Sequence, residues 1–389
     1  MDADCDRRTL QQGVCVCFMA VAATDTTEGS QLFFPRRQLA MTIKPRFSYR
    51  MIGIAFLILI ATVWLIVIPI AQAYLQRFEE RPSGIVEEQL STGEILQIRA
   101  AKLAVFTVFT YLGACVGSFL NVVAASAPRG RSVLTRSSSC PECGKPIRRS
   151  DNLPIIGFIS LGGKCRACGV PIASRYLVVE CIAAGIFAYL FLIQLVSGAA
   201  NVPGFWLYAH TGIIWMIFYT KWKVVGIYFF HAIMFSWLLV FALIENDDLK
   251  VPRTMSFPII LVFASLAVLL PILQPVPYDG MPPINLTGEA ASWISRLITC
   301  GVGAVTGGIV ALIVTKRNFG APLAAALILL GVTLGWQATL TIAAAWLFFT
   351  LLLNRLLPKI RPTWLGPTAL LLAVSLCHHP AWRFLTDLW

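Results

Sequence analysis

From Phe319 to Leu353 the chain runs for 35 residues without a charged side chain. As one α-helix that stretch would be about 52 Å long, whereas the hydrocarbon core of a bilayer is about 30 Å thick. Two spans are therefore expected here, with Gly335-Trp336-Gln337 as the turn between them. Seven more apolar runs lie elsewhere: Met51–Tyr74, Leu103–Ala125, Leu177–Ala199, Val224–Ile244, Thr254–Leu273, Trp293–Val314 and Thr363–Cys377. The expected fold class is an all-α polytopic membrane protein of about nine transmembrane helices. Only 13% of the residues are charged, about half the share in a soluble protein.

The net charge of +12 does not call for a nucleic-acid partner, because the basic residues cluster in connectors between apolar runs and so write topology. The connector Ala127–Tyr176 holds nine Lys or Arg against Glu142 and Asp151, while Leu75–Ala101 holds five glutamates against three arginines. Positive-inside bias places the first in the cytoplasm and the second outside. Residues 204–220, with His210, two tyrosines and two tryptophans, read as an interfacial or re-entrant segment. Val224–Ile244 then runs inward and delivers Glu245-Asn-Asp-Asp-Leu-Lys250 to the cytoplasmic face. Lys221 and Lys223 are left outside, against the charge rule. Residues 1–50 read as an N-terminal arm, disordered or upstream of the true start, with Met41 and Met51 as workable starts. The expected layout is this arm, an extra helix and external connector over 51–102, a region 103–199 carrying the loop 127–176, and a transmembrane domain over 200–389. No internal repeat and no nucleotide-binding glycine loop stand out.

The cytoplasmic loop carries Cys140-Pro-Glu-Cys143 and, after 21 intervening residues, Cys165-Arg-Ala-Cys168. Two such pairs fold as opposed knuckles that set four thiolates tetrahedrally around one zinc ion. The competing readings are two disulfides, disfavoured in a reducing compartment, or buried small apolar residues. A structural zinc also replaces the core that this polar loop of about fifty residues cannot build. The other seven cysteines show no metal-like grouping. Four of them, Cys115, Cys181, Cys300 and Cys377, are expected as helix packing residues.

Gly117-Ser-Phe-Leu-Asn-Val-Val, the four cysteines, Asp151-Asn-Leu-Pro-Ile, Gly163-Lys-Cys-Arg and Arg175-Tyr-Leu-Val-Val-Glu180 together resemble the N-terminal half of type IV prepilin leader peptidases. The resemblance covers about 75 residues closely. It implies a multi-pass protein of the bacterial inner membrane. Such a protein cleaves a short leader from a type IV prepilin or pseudopilin and methylates the new N-terminus with S-adenosylmethionine. It also ties Glu180 to the methylation half. Against that stands a simpler use of Glu180, snorkelling to the headgroups and pairing with Arg175.

The other half of that family is an intramembrane aspartic peptidase, whose chemistry needs two carboxyl groups that share a proton. Ala242-Leu-Ile-Glu-Asn-Asp-Asp-Leu-Lys-Val-Pro252 matches the frame of the family's first catalytic aspartate, with Glu245 at the position itself. The family's Gly-x-Gly-Asp motif falls at Asn318-Phe-Gly-Ala-Pro-Leu323, where no carboxylate stands, and none occurs between Glu289 and Asp387. Trp364-Leu-Gly-Pro367 still resembles the opening of the family's last helix. Three readings stand. The peptidase half is inactive and keeps methyltransferase, scaffolding or pilin-binding work in pilus or type II secretion assembly. Or Glu245 with Asp247 or Asp248 forms a substitute pair. Or the cluster is a solvated helix end, with Asp247 and Asp248 paired to Lys250 or Arg253. A transporter is disfavoured, because no row of polar residues crosses the bilayer. With no acidic partner visible in the sequence, His231 and Arg296 read as packing or interface residues.

Overall fold

The computed structural model describes residues 92–133, 139–204, 220–273, 289–315, 321–356 and 366–386. The N-terminal arm, the expected first span and most of the ambiguous 204–220 segment lie outside them. Helices in chain order are α1 (Thr92–Ser126), α2 (Ile156–Leu161), α3 (Arg175–Leu190) and α4 (Trp222–Asn246). They are followed by α5 (Arg253–Leu269), α6 (Glu289–Val314), α7 (Pro322–Leu356), α8 (Pro367–His378) and α9 (Trp382–Thr386). A π-helical stretch, Phe191–Val196, prolongs α3. Among the described residues five helical stretches are long and apolar enough to cross a membrane: α1, α3 with its extension, α4, α6 and α7. The expected count of nine is thus matched only as a mainly helical chain with five candidate spans, α5 and α8 being shorter apolar helices.

The uncharged run lies mostly in one helical stretch, Pro322–Leu356, which is broken at Gly335, whose φ of 85° and ψ of 175° no helix contains. The break falls inside the expected Gly-Trp-Gln turn, at the residue that reaches positive φ without a Cβ penalty.

Burial separates centre from periphery. In the most apolar window of α4, 83% of residues are buried, against 22% for α1 and 28% for α6. Close packing relies on absent side chains. A Cβ on Gly303 would lie 2.0 Å from the Gly331 carbonyl oxygen, and one on Gly307 would lie 2.4 Å from that of Leu327. The small-xxx-small spacing in α6 therefore marks backbone contact with α7. Gly113 and Gly117 do the same for α1 on α3, where a Cβ at Gly117 would meet the Glu180 Cα at 2.9 Å. The Gly-Ser-Phe-Leu-Asn stretch thus brings α1 against the backbone of Glu180. Of the four cysteines expected to pack between helices, only Cys300 is buried; Cys115, Cys181 and Cys377 are exposed on helix surfaces.

Candidate functional site

The two Cys-x-x-Cys segments fold alike. Cys140 N–H bonds the Lys145 carbonyl and Gly144 N–H bonds that of Cys140; Cys165 N–H bonds Val170 and Gly169 N–H bonds Cys165. A bridge closes each knuckle, Ser139 with Pro146 and Lys164 with Pro171. Gly144 and Gly169 sit at φ 67° and 75°, the conformation that turns the chain back over the sulfurs. The shared pattern Cys-x-x-Cys-Gly-x-Pro-Ile is a short internal repeat, which corrects the expectation of none.

The four Sγ atoms lie within 4.8 Å of one another, and Cys140 Sγ is 3.8 Å from Cys168 Sγ. That exceeds any S–S bond, and all four cysteines are free. It equals the edge of about 3.8 Å expected of a thiolate tetrahedron with metal–sulfur distances of about 2.3 Å. Backbone N–H groups of Cys168 and Ala167 aimed at Cys165 lower its thiol pKa to about 6, favouring the thiolate that a metal needs. The cluster fits a zinc ion.

Two contacts brace this module, one within the loop and one to α3. Arg166 in the second knuckle makes a bidentate pair with Asp151, both bonds at 2.7 Å, which holds the Asp151 carboxyl below its ordinary range. Asp151-Asn-Leu-Pro then leads into Ile155 at φ 62°, ψ −54°, with Ile156 N–H bonded to the Pro154 carbonyl at 2.6 Å. This is a γ-turn of the strained, positive-φ kind, here carried by a β-branched residue. At this turn the Ile155 N–H donates to Glu180 Oε2 at 2.7 Å. Glu180, 7% exposed in α3, is thus the anchor of the knuckle module and not a snorkelling side chain. Arg175 pairs instead with Asp247, which sets the start of α3 beside the end of α4.

Each acid of the second cluster has a place of its own. Glu245 reaches the N-terminus of α8, where Oε2 accepts the Thr368 N–H at 2.7 Å and Oε1 accepts the Thr368 hydroxyl at 3.0 Å. Gly366 makes room, since a Cβ there would lie 2.6 Å from Oε2. A carboxylate at this point satisfies an orphan N–H and complements the helix dipole. Asp247 pairs with Arg175, where the sequence suggested Lys250 or Arg253. Asp248 has φ 54°. Its N–H bonds the Glu245 carbonyl while Leu249 N–H bonds that of Ile244, so Asp248 is the left-handed residue of a Schellman end to α4. Among the described residues no other Asp or Glu stands in the C-terminal half, apart from Glu289 at the start of α6.

A third polar group was not legible in the sequence. Gln194, His231 and His379, from three separate helical segments, are 0–1% exposed. Gln194 Nε2 lies 2.6 Å from His231 Nδ1 and 2.9 Å from His379 Nε2. His231, read as a packing residue, is therefore part of a buried polar contact between α3, α4 and the end of α8. Arg296 lies over the Trp293 ring, 4.6 Å from its centroid.

An α-helical bundle with apolar helices of spanning length, and a four-cysteine module clamped to one end, defines a polytopic membrane protein with an extramembrane metal-knuckle loop. Residues 111–194 match the model of the bacterial peptidase A24 N-terminal domain. A prepilin leader peptidase/N-methyltransferase of Myxococcus xanthus is 45% identical over 83 residues, 21% of this chain and 25% of that protein. The protein of that name from Klebsiella pneumoniae is 28% identical over 235 residues, 58% of this chain and 83% of the relative. One from Pseudomonas aeruginosa is 32% identical over 102 residues, covering 20% and 35%. The chain thus spans about a quarter of the Myxococcus relative and most of the Klebsiella one. No solved structure matches. Residues 111–194 thus resemble a bacterial peptidase A24 N-terminal domain, and the chain is similar to prepilin leader peptidases/N-methyltransferases.

Proposed function

We propose that this chain is a prepilin-engaging protein of the bacterial inner membrane in which the N-terminal module is intact and the peptidase half no longer cleaves. In this reading a zinc ion holds the two knuckles on the cytoplasmic side, and Glu180 locks the module onto α3. The observation that carries the proposal is the use made of the acid cluster. Glu245 caps α8, Asp247 pairs with Arg175, and Asp248 closes α4. Acid–base hydrolysis needs two carboxyls facing one water with pKa values driven apart. Here the first-aspartate position is a glutamate spent on a helix end, and the segment where the second belongs, Asn318 to Leu323, has no acid.

Type IV prepilins or pseudopilins are the partners this reading implies, held for assembly of a pilus or type II secretion machine. The methyl donor S-adenosylmethionine remains an expectation from family resemblance.

The test mixes purified protein in detergent with prepilins of its own cell and reads products by mass for leader loss and added methyl, with pull-down for binding. The expected result is a bound pilin that keeps its leader. Leader loss that disappears in Glu245→Gln at unchanged abundance would overturn the proposal and establish a rebuilt acid pair.

A further inference from the structure

Between α4 and α5 runs a groove of about 680 Å³, lined on α4 from Trp222 to Trp237 and on α5 and the turn after it from Pro258 to Leu273. Fifteen helical rises make it about 22 Å long. Its apolar lining suits one extended acyl chain.

Its chemistry is as specific as its size. The wall is apolar except at one end, where exposed Lys223 stands beside Trp222, itself 76% exposed, in the first turn of α4. A spanning helix begins at the membrane interface, where tryptophan and lysine meet headgroups. A basic group there attracts anionic lipid. We propose that the groove is a binding site for one anionic phospholipid, its acyl chain along α4 and α5 and its phosphate at Lys223. The inference is independent of whether the peptidase half is active. It also gives Lys223 a reason to sit outside against the charge rule, because a bound headgroup offsets it.

Gly226 lines the groove, and a Cβ built on it meets nothing within 4 Å. A large side chain there enters the groove without pushing on the protein. The experiment is native mass spectrometry of the full chain extracted into detergent, titrated with phosphatidylglycerol or phosphatidylcholine of the same acyl length. The expected result is one tightly retained phosphatidylglycerol per chain. Lys223→Glu should reduce that preference at least about fivefold, the worth of one lysine at an anionic surface. Gly226→Phe should remove retention of both lipids while the thermal unfolding midpoint is unchanged. Equal retention of the two headgroups by the wild-type chain, retention that survives Gly226→Phe, or a dimer in place of bound lipid would each overturn the proposal.

Discussion

Truncating Glu245 to alanine tests whether its carboxylate serves the fold or a reaction. It makes two bonds to Thr368, at 2.7 and 3.0 Å. Hydrogen bonds to a charged group are worth about 1.5–3 kcal/mol each, and a charge at a helix N-terminus adds about 0.3–1 kcal/mol. The side chain is half-buried and both bonds end on one threonine, so the low end of the sum applies. Glu245→Ala should cost about 2–4 kcal/mol. Glutamine keeps both contacts, its Oε1 accepting the N–H and its Nε2 donating to the Thr368 hydroxyl. Glu245→Gln should therefore cost only about 1 kcal/mol, the charge component. Gly366→Ala puts a methyl where Oε2 sits and should displace the carboxylate, yet it should cost almost nothing further when combined with Glu245→Ala. That non-additivity is the signature of a shared contact. Denaturant unfolding of the purified protein in detergent measures all four. A Glu245→Ala chain as stable as wild type, or additive costs for the pair, would refute the capping argument.

Three further outcomes are expected. Wild-type protein should carry one zinc per chain by metal analysis, and Cys140→Ser or Cys165→Ser should lose the metal and lower the yield of folded protein; a well-folded, metal-free wild type would end the zinc reading. Asp248→Gly should stabilise by about 0.5–1 kcal/mol, because glycine carries a left-handed φ without strain, whereas destabilisation would show that the Asp248 side chain contributes more than its backbone. Glu180→Ala should leave the Ile155 N–H without its carboxylate, at about 1–3 kcal/mol. The knuckle module should then be released to limited proteolysis near Ile155 while the helices stay protected; an unchanged cleavage pattern would mean that the module docks by other contacts.

Some of this was written in single residues and their spacing. Long uncharged runs determine helices of spanning length whatever they pack against, since a backbone in lipid must satisfy its own hydrogen bonds. Two Cys-x-x-Cys pairs determine a four-thiolate cluster because ligand geometry is local to each knuckle. Glycine at position 335 marks the break in α7 for a reason equally local, its freedom at positive φ.

Only the tertiary structure decided how the acids are used. Glu245 and Thr368 are 123 residues apart and Arg175 and Asp247 are 72 apart, and no periodicity connects such pairs. Sequence offered Glu180 a nearby arginine five positions away, but the helix packing gave it the N–H of a strained turn and gave that arginine to Asp247. The Gln194–His231–His379 contact was hidden for the same reason: its members lie 37 and 185 residues apart. A side chain's local neighbours follow from chain geometry. Its partner across the bundle depends on which helices pack, and at what register, and that is settled by the fit of whole surfaces.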